Sequence, residues 1–190
     1  MKEFVGILLA AGRSRRFGSD KLQHLMSDGR PMAVVAAGRL LPACDRVLAV
    51  WAPGSEALAE SLADGGCETL CCPRSVDGMG HSLAAAVGAT PDAAGWIVAL
   101  GDMPYIGTST HERVSEALRA GASIVTVENG GRRGHPVGFS RAHFAELVAL
   151  TGDQGARQLL AKHAAEIVCL TVTDPGIHRD IDTPADLIPL

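Results

Sequence analysis

Residues Gly6 to Leu22 read GILLAAGRSRRFGSDKL, and this stretch carries the strongest structural signal in the sequence. An apolar run ends at Ala10, and a basic loop bounded by Gly12 and Gly18 follows. The pattern predicts a buried strand that leads into a phosphate-binding loop, because open α/β sheets bind ligands at the carboxyl ends of their strands. We expect Gly12 to allow a close backbone approach and a positive φ. Backbone amides and cations would hold the phosphate charge. The candidate cations are Arg13, Arg15, Arg16 and Lys21.

This loop differs from two well-known phosphate loops. A Walker A loop has four residues between its first glycine and a Gly-Lys-Ser/Thr sequence, whereas five residues separate Gly12 from Gly18 here, and Lys21 comes three residues later. The G-x-G-x-x-G dinucleotide fingerprint is absent as well. An isolated basic loop is equally compatible with a solvated surface turn, so its interpretation depends on the rest of the chain.

Composition limits the class of protein. The chain has 190 residues, of which 47% are hydrophobic and 20% charged, so we expect residues 1–190 to form one globular domain. A net charge of -4 and an aromatic content of 4% argue against a nucleic-acid partner. No apolar run has the length of a membrane span, and no signal-peptide layout is present. The five cysteines have the irregular spacing of buried thiols rather than of disulfides or a zinc site, which predicts a cytoplasmic protein.

Apolar runs of strand length alternate with segments of helical period, which predicts a doubly wound α/β sandwich. The predicted strands are Val5–Ala10, Arg46–Trp51, Glu68–Cys72, Trp96–Leu100, Ser123–Val127 and Ile167–Val172. The predicted helices are Met32–Leu41, Glu56–Ala63, Ser82–Ala89, Thr108–Ala120, Ala142–Leu150 and Gly155–Ala164. The segment Glu128–Ser140 departs from this alternation and predicts a hairpin, either at the rim of a binding site or as an ordinary surface element. Its proline, Pro136, disfavours a central-strand position for that residue.

Carboxylates follow one predicted central strand and recur near the end of the chain. Asp102 comes directly after the strand that ends at Leu100. Such a carboxylate suits Mg²⁺, which takes one or two protein carboxylates together with phosphate oxygens and water. Asp180 and Asp182 would point to the same face of an extended segment. We favour Asp102 and Asp182 as metal ligands and keep Asp180 as the alternative; the competing interpretations are a turn at Asp102 and a helix start at Thr183.

Three further polar residues, Ser82, His135 and Arg157, are candidates for ligand contacts. Ser82 begins a predicted helix beside the first loop, where it would cap the helix or contact a nucleobase. His135 would bind a phosphate or a base edge, or would simply pack. Asp153 and Arg157 lie in a glycine-rich turn before a helix, and Asp153 is expected to be the N-cap. Arg157 would face an anionic second substrate or the solvent.

Six motifs taken together resemble one enzyme family over nearly the whole chain. They are, in order, LLAAGRSRRFGSDKL, GMGHSL, GDMP, RGHPVGFS, TGDQGARQLL and DIDTPADL. Their order is similar to that of the MobA-like nucleotidyltransferases, which mature the molybdenum cofactor. Within this family, the run from Leu9 to Gly12 and the Arg133–Val137 segment resemble the cytidylyltransferases, because the guanylyltransferases typically have Leu-Ala-Gly-Gly at the first position. Phe17 stands where a methionine is common.

The resemblance implies a three-layer α/β/α Rossmann-like nucleotidyltransferase fold, with a mostly parallel sheet that contains an antiparallel element. It implies an enzyme that uses Mg²⁺ and transfers CMP from CTP to the terminal phosphate of molybdenum–molybdopterin, with release of pyrophosphate. A molybdenum hydroxylase or its insertion chaperone would be a later partner. The rival hypotheses are a guanylyltransferase, an enzyme with another phosphorylated acceptor, a non-catalytic cofactor carrier or chaperone, and a nucleotide-binding regulatory domain.

The resemblance also implies roles for particular residues. Asp102 and Asp182 would hold the metal, and His135 and Arg157 would bind the acceptor. The implied catalytic residues are Arg16, Lys21 and Asp102. The implied nucleotide-binding residues are Leu9, Ala10, Ala11, Gly12, Arg16, Lys21 and Ser82.

Overall fold

A seven-stranded sheet forms the centre of the computed structural model, which describes residues 3–12, 17 and 20–187. The strand order is β3-β2-β1-β4-β6-β5-β7. All neighbouring strands are parallel except at β6, which runs antiparallel to both β4 and β5. The predicted mostly parallel sheet with an antiparallel element is confirmed. The strands are Phe4–Ala10 (β1), Arg46–Trp51 (β2), Glu68–Cys71 (β3), Gly95–Leu100 (β4), Ile124–Asn129 (β5), Arg132–Ser140 (β6) and Ile167–Thr171 (β7).

Helices cover both faces of the sheet and give the three layers. Alternate residues of β1 belong to different cores, as the two-residue period of a strand requires. Leu8 and Ala10 pack with α1, α2 and α4, whereas Ile7 and Leu9 pack with α3, α5 and α6. Burial on both faces explains why the predicted strands are continuously apolar. The helices are Met32–Leu40 (α1), Glu56–Asp64 (α2), Met79–Ala89 (α3), Thr108–Arg119 (α4), Phe144–Val148 (α5) and Arg157–Lys162 (α6).

The predicted hairpin is present, since the antiparallel strands β5 and β6 are joined at Gly130 and Gly131, but both of its strands belong to the sheet. β6 is nine residues long and lies between β4 and β5, so the expectation that Pro136 avoids a central strand is wrong. The register explains why proline is tolerated there. Pairing with β4 ends at Val137, and the register with β5 shifts between Val125 and Val127. The missing N–H of Pro136 therefore falls where the ladder is already interrupted.

Neither Ser82 nor Asp153 caps its helix, and a third helix is capped from a distant part of the chain. α3 begins at Met79, so Ser82 lies inside the first turn and is not its cap. α6 has Ala156 as its N-cap, so Asp153 is not the cap either. α4 begins at Thr108 but is capped from a distance: the Asp174 carboxylate accepts hydrogen bonds from the Gly107 N–H at 2.8 Å and the Thr110 hydroxyl at 2.6 Å. Sequence proximity alone could not identify a cap 64 residues away.

The cysteines are all free, but they are less buried than predicted. Cys67 and Cys72 are buried and Cys44 is half-buried, whereas Cys71 and Cys169 are exposed. Burial raises the pKa of the Cys44 thiol to about 12 and that of Cys67 to about 11. Within the described ranges, no helix is both long enough and apolar enough to cross a membrane.

Candidate active site

The candidate site lies where β1 and β4 end side by side. The chain order of the sheet reverses at this pair, since β2 and β3 lie on one side of β1 and β4 on the other. Such a switch point opens a crevice at the carboxyl ends of the strands. The Gly101 N–H donates to the Leu9 carbonyl at 3.0 Å, which holds the two strand ends together. We call this side of the sheet, where Gly12 and Asp102 emerge, the carboxyl edge.

Two adjoining cavities open at the carboxyl edge. The first has a volume of about 450 Å³ and the second about 530 Å³. They share Leu9, Met79, Leu100 and Asp153 as lining residues, so they form one continuous cleft with two parts. The first cavity brings together most of the predicted site residues, namely Leu9, Ala11, Gly12, Lys21, Ser82, Asp102 and Asp182.

Lys21 and two carboxylates converge in the first cavity. The Lys21 Nζ lies 2.9 Å from Asp102 Oδ2 and 3.6 Å from Asp182 Oδ1. The Lys21 side chain is only 11% exposed, so this charge cluster is partly shielded from water. These three residues are far apart in the sequence, but the fold brings them together, and the two carboxylates favour a positive charge between them. The two carboxylates predicted as metal ligands face the same point.

Local structure explains how Lys21 and Asp182 reach this point. Lys21 begins a short 3-10 helix that ends at Gln23, and the Asp20 carboxylate caps it by accepting from the Leu22 N–H. On the other side, the Ile181 N–H donates to the Asp102 carbonyl at 3.0 Å, and the Ile181 side chain is fully buried. Ile181 packs in an apolar cluster with Phe17, Met26, Met32 and Val35. This packing fixes the segment that carries Asp182 beside the end of β4.

The structure separates the two roles proposed for the DIDTP segment. Thr183 caps a short 3-10 helix, and the Asp186 carboxylate accepts from the Thr183 N–H at 2.7 Å and from the Asp182 N–H at 3.1 Å. The backbone and side-chain hydrogen bonds from Thr183 hold the pKa of Asp186 below its usual value. Thr183 and Asp186 therefore provide the cap, and the Asp182 carboxylate faces Lys21. Asp180 instead acts electrostatically on His135.

The predicted nucleotide-binding residues differ in where the structure places them. Ser82 is buried in the wall of the first cavity, beside Ala11, as predicted. Ala10 does not line this wall, because its side chain packs in the core. Gly12 borders open space, since a Cβ placed on it would meet no atom within 4 Å; its φ is not positive, so the expectation of a positive φ is wrong. Arg16 lies outside the described residues.

The loop that carries Gly152 and Asp153 forms part of the site, although the sequence predicts it only as a turn before a helix. The Gly80 N–H donates to the Gly152 carbonyl at 2.8 Å, and a Cβ on Gly78 would overlap the Gly152 backbone. Only glycine permits this contact, and the φ of +124° at Gly78 favours glycine independently. The contact places Asp153 against both cavities. The sequence signal that could have indicated this contact is the pair of glycines in each of two segments, DGMG (77–80) and TGDQG (151–155).

The second cavity contains the residues predicted to bind an acceptor. His135 and Arg157 both line it, together with Arg133. Burial lowers the pKa of His135, and Arg157 acts in the same direction, while Asp102 and Asp180 oppose the shift. His135 is therefore a neutral imidazole near neutral pH, with one N–H donor and one acceptor nitrogen. The buried Thr126 hydroxyl, which also lines this cavity, has no hydrogen-bond partner among the described residues.

Comparison with known proteins identifies the family. Residues 6–167 match the sequence model of the MobA-like NTP transferase domain. The chain belongs to this family. It is 35% identical, over 196 residues, to the probable molybdenum cofactor guanylyltransferase of Deinococcus radiodurans, with 100% of this chain and 95% of the relative covered.

Solved structures share the fold of this chain. The crystal structure of Rv0371c from Mycobacterium tuberculosis has 28% sequence identity and a TM-score of 0.81, and the match covers 97% of this chain and 95% of that one. Rv0371c in complex with manganese matches with 26% identity and a TM-score of 0.79, over the same shares of the two chains. The predicted fold is confirmed, and the chain is a nucleotidyltransferase of the MobA-like family.

Proposed function

We propose that residues 1–190 form one catalytic domain, a Mg²⁺-dependent cytidylyltransferase of the molybdenum cofactor. It would transfer CMP from CTP to the terminal phosphate of molybdenum–molybdopterin and release pyrophosphate. A molybdenum hydroxylase or its insertion chaperone would receive the product. The observation that carries the proposal is the convergence of Lys21, Asp102 and Asp182 beside a second cavity lined by cationic groups.

The residues of the first cavity fit a divalent cation. The Lys21 ammonium nitrogen lies 2.9 Å from an Asp102 oxygen and 3.6 Å from an Asp182 oxygen, so the two carboxylates face a common point. Two carboxylates are the usual protein contribution to a Mg²⁺ site in an enzyme that acts on phosphates. When bound there, Mg²⁺ would neutralise charge on the reacting phosphate oxygens. The manganese complex of Rv0371c supports the divalent-cation part of the proposal.

The proposed reaction needs positioning and charge stabilisation more than a strong base. The acceptor phosphate, already ionised at neutral pH, would form a bond to the α-phosphorus of CTP while the bond to the β-phosphate oxygen breaks. Lys21, together with Arg16, would neutralise the charge on the departing pyrophosphate. The open backbone at Gly12 leaves room for the phosphates to approach. The cleft would hold both substrates in line, which converts the reaction into an effectively unimolecular step.

The second cavity has the chemistry of a site for a phosphorylated ring system. Arg133 and Arg157 supply positive charge, and the neutral His135 offers both a donor and an acceptor. Partly exposed apolar side chains such as Met79 and Leu160 provide a surface for a flat ring. Since this cavity adjoins the first, an acceptor bound in it could present its phosphate to the nucleotide.

Two observations point to different nucleobases. Ala11 lines the first cavity. The guanylyltransferases of this family typically have glycine at this position, so Ala11 adds a methyl group to the cavity wall. This supports CTP, because a smaller base needs less room. The name of the Deinococcus radiodurans relative supports the second candidate, a guanylyltransferase that uses GTP.

Pyrophosphate release distinguishes these candidates. The purified chain would be assayed with Mg²⁺ and intact molybdenum cofactor, with CTP and GTP in parallel, and Asp102→Asn would serve as the inactive control. We expect release with CTP. Release with GTP alone would retain the mechanism and establish the guanylyltransferase. Silence with both nucleotides, in the presence of intact acceptor, would overturn the proposed reaction and favour another acceptor or a non-catalytic carrier.

A further inference from the structure

A group of histidines and glutamates lies at the side of the sheet opposite Asp102. In the sequence it appears as two H-x-x-E segments, His143 to Glu146 and His163 to Glu166. Side chains three residues apart in a helical turn share a face. One potential ligand atom each from His143, Glu146 and His163 lies within 4.8 Å of the others. The fold therefore joins the two segments into one cluster.

This cluster is remote from the proposed catalytic centre. Ser140, just before His143, pairs with Gly95 at the start of β4, and Glu166 directly precedes β7. We call this side of the sheet the amino edge, because the parallel strands begin there. β4 has six residues, and at about 3.3 Å per residue it separates the amino edge from Asp102 by roughly 20 Å. A cation held here would not be the one held by Asp102 and Asp182.

Close contacts already organise the cluster. The His163 Nε2 lies 2.8 Å from Glu146 Oε1, and its Nδ1 lies 2.7 Å from Glu166 Oε1. The buried His143 has its Nε2 2.8 Å from the Ser123 hydroxyl and 3.9 Å from Glu166 Oε2. The two imidazole rings meet edge to face, with centroids 4.8 Å apart. Two imidazoles and two carboxylates are thus held together by side chains from three elements.

We propose that His143, Glu146 and His163 form a binding site for Zn²⁺, with Glu166 as the carboxylate that orients His163. Imidazole nitrogen and carboxylate oxygen are the donors that zinc prefers in the absence of thiolates. A carboxylate on the second nitrogen of a ligating histidine is the usual supporting contact. Ligand atoms of a tetrahedral zinc lie about 3.3 Å apart. Side-chain movements would therefore widen the contact of 2.8 Å between His163 and Glu146 and close the longer separations, which are at most 4.8 Å.

Zinc at this position would clamp α5 to α6, and α6 lines the second cavity. Glu146 belongs to α5, and His163 immediately follows α6. α6 begins at Arg157, which lines the second cavity. The metal would therefore fix the helix that presents this arginine to the acceptor. This inference does not rest on the identity of the nucleotide or the acceptor.

One nearby cation competes with a metal at this site. The Lys162 Nζ lies 2.6 Å from Glu146 Oε2, and its side chain is 66% exposed. Because Lys162 is largely in solvent, it can turn away when zinc binds to Glu146. Removing its charge should strengthen zinc binding, whereas removing a ligand should weaken it. These opposite signs give the proposal a specific test.

The experiment measures Zn²⁺ binding to the full chain after removal of metals with a chelator. The Asp102→Asn background is used throughout, so that the proposed catalytic metal site does not contribute. Zn²⁺ affinity is measured by competition with a chromophoric chelator, and Co²⁺ absorption reports the ligand set. We expect one zinc per chain, at least about a tenfold loss of affinity in Glu146→Gln and His163→Gln, and a severalfold gain in Lys162→Ala.

Controls separate this site from incidental zinc binding. His178→Gln, which removes a histidine outside the cluster, should retain the parental affinity and cobalt spectrum. Glu146 and His163 lie near the surface, so their variants are chosen over changes of the buried His143, and their thermal midpoints without metal verify folding. Zinc should raise the midpoint of the parent but not that of either ligand variant. Equal zinc affinity in the parent, Glu146→Gln and His163→Gln would overturn the proposal, as would no binding by the parent.

Discussion

The carboxyl and amino edges of the sheet both gather charged side chains, but those side chains face different surroundings. At the carboxyl edge, Lys21, Asp102 and Asp182 line a cavity of about 450 Å³. At the amino edge, Glu146 and Glu166 accept hydrogen bonds from His163, and Glu146 also accepts one from Lys162. Both groups of charges are paired within the protein, but only the group at the carboxyl edge also borders a cavity that could hold a substrate, whereas the group at the amino edge joins α5 to the end of α6. This difference supports the proposal that catalysis takes place at the carboxyl edge.

The pKa values of the histidines follow their burial rather than the edge at which they lie. Hydrogen bonds that His163 donates to the carboxylates of Glu166 and Glu146 raise the pKa of His163 at the amino edge. At the carboxyl edge, burial lowers the pKa of His135, and it lowers that of His111 in α4 to about 4. Burial also lowers the pKa of His143 at the amino edge. Neighbouring carboxylates act on all four histidines in the direction of protonation, but desolvation prevails in His111, His135 and His143.

The largest effect is expected for the carboxylates of the first cavity. Asp102→Asn and Asp182→Asn should each lower kcat at least about a hundredfold, or about 2.7 kcal/mol in activation free energy, because each removes a proposed ligand of the catalytic cation. Asp180→Asn is the matched control and should stay close to wild type. Pyrophosphate release measures the rates, and thermal midpoints verify folding. Loss of activity in Asp180→Asn with retention in Asp182→Asn would reverse the ligand assignment.

Two lysines provide a direct comparison of the edges. Lys21→Ala should lower kcat/KM for the nucleotide roughly tenfold to a hundredfold, because it removes a buried cation proposed to bind the phosphates. Lys162→Ala removes an exposed ion pair at the amino edge and should change the free energy of unfolding by less than about 0.5 kcal/mol. Steady-state kinetics and urea unfolding measure both variants. A similar loss of kcat/KM in the two would contradict the division between the edges.

The next effect concerns His111 and the dependence of stability on pH. Its pKa in the folded protein is about 4, below the ordinary 6.5, so the unfolded chain binds more protons between these values. The contribution of neutral His111 to the free energy of unfolding is fully present above pH 6.5 and is lost as the pH falls toward 4. At pH 5 the loss is about 2 kcal/mol. Asp174 opposes this shift.

His111→Gln removes this titration. Urea unfolding of the wild type and the variant at pH 8 and pH 5 gives four free energies, and the difference of differences isolates the contribution of His111. Between pH 8 and pH 5, the free energy of unfolding should fall by about 2 kcal/mol less in the variant than in the wild type. The pH 8 data serve as the control, since they report any packing defect separately. An equal pH dependence in both proteins would show that burial of His111 does not govern acid sensitivity.

The sequence predicted the sheet and the first cavity well because both depend on local signals. Continuous apolar runs mark the buried strands, and the residues that follow β1 and β4 necessarily emerge at the same edge. The central position of β6 was missed because Pro136 argues against it locally, whereas the irregular register that accommodates proline arises only from pairing. Asp153 was missed for the same reason: the contact between Gly80 and Gly152 that positions it joins distant parts of the chain.

The smallest predicted effect lies within the first cavity, at Ala11. Ala11 is 8% exposed, and it shares the wall with Leu9 and Ser82, so removal of its methyl group would enlarge the cavity by about one carbon. A difference of one methyl group in a pocket changes discrimination by about 1 kcal/mol, or severalfold. We therefore expect Ala11→Gly to shift the ratio of kcat/KM for CTP and GTP toward GTP severalfold, without reversing it. Competition assays with both nucleotides measure this ratio directly.

Ser82→Ala is the companion variant for that measurement. It also changes the cavity wall, but it removes a hydroxyl instead of altering the space next to Ala11. If space decides the choice of base, Ala11→Gly should move the ratio while Ser82→Ala lowers kcat/KM for both nucleotides to a similar extent. A shift in Ser82→Ala alone would instead assign selectivity to a hydrogen bond from α3. An unchanged ratio in both variants would place the choice of base outside this part of the wall, in the basic loop that includes Arg16 or in the loop that carries Asp153.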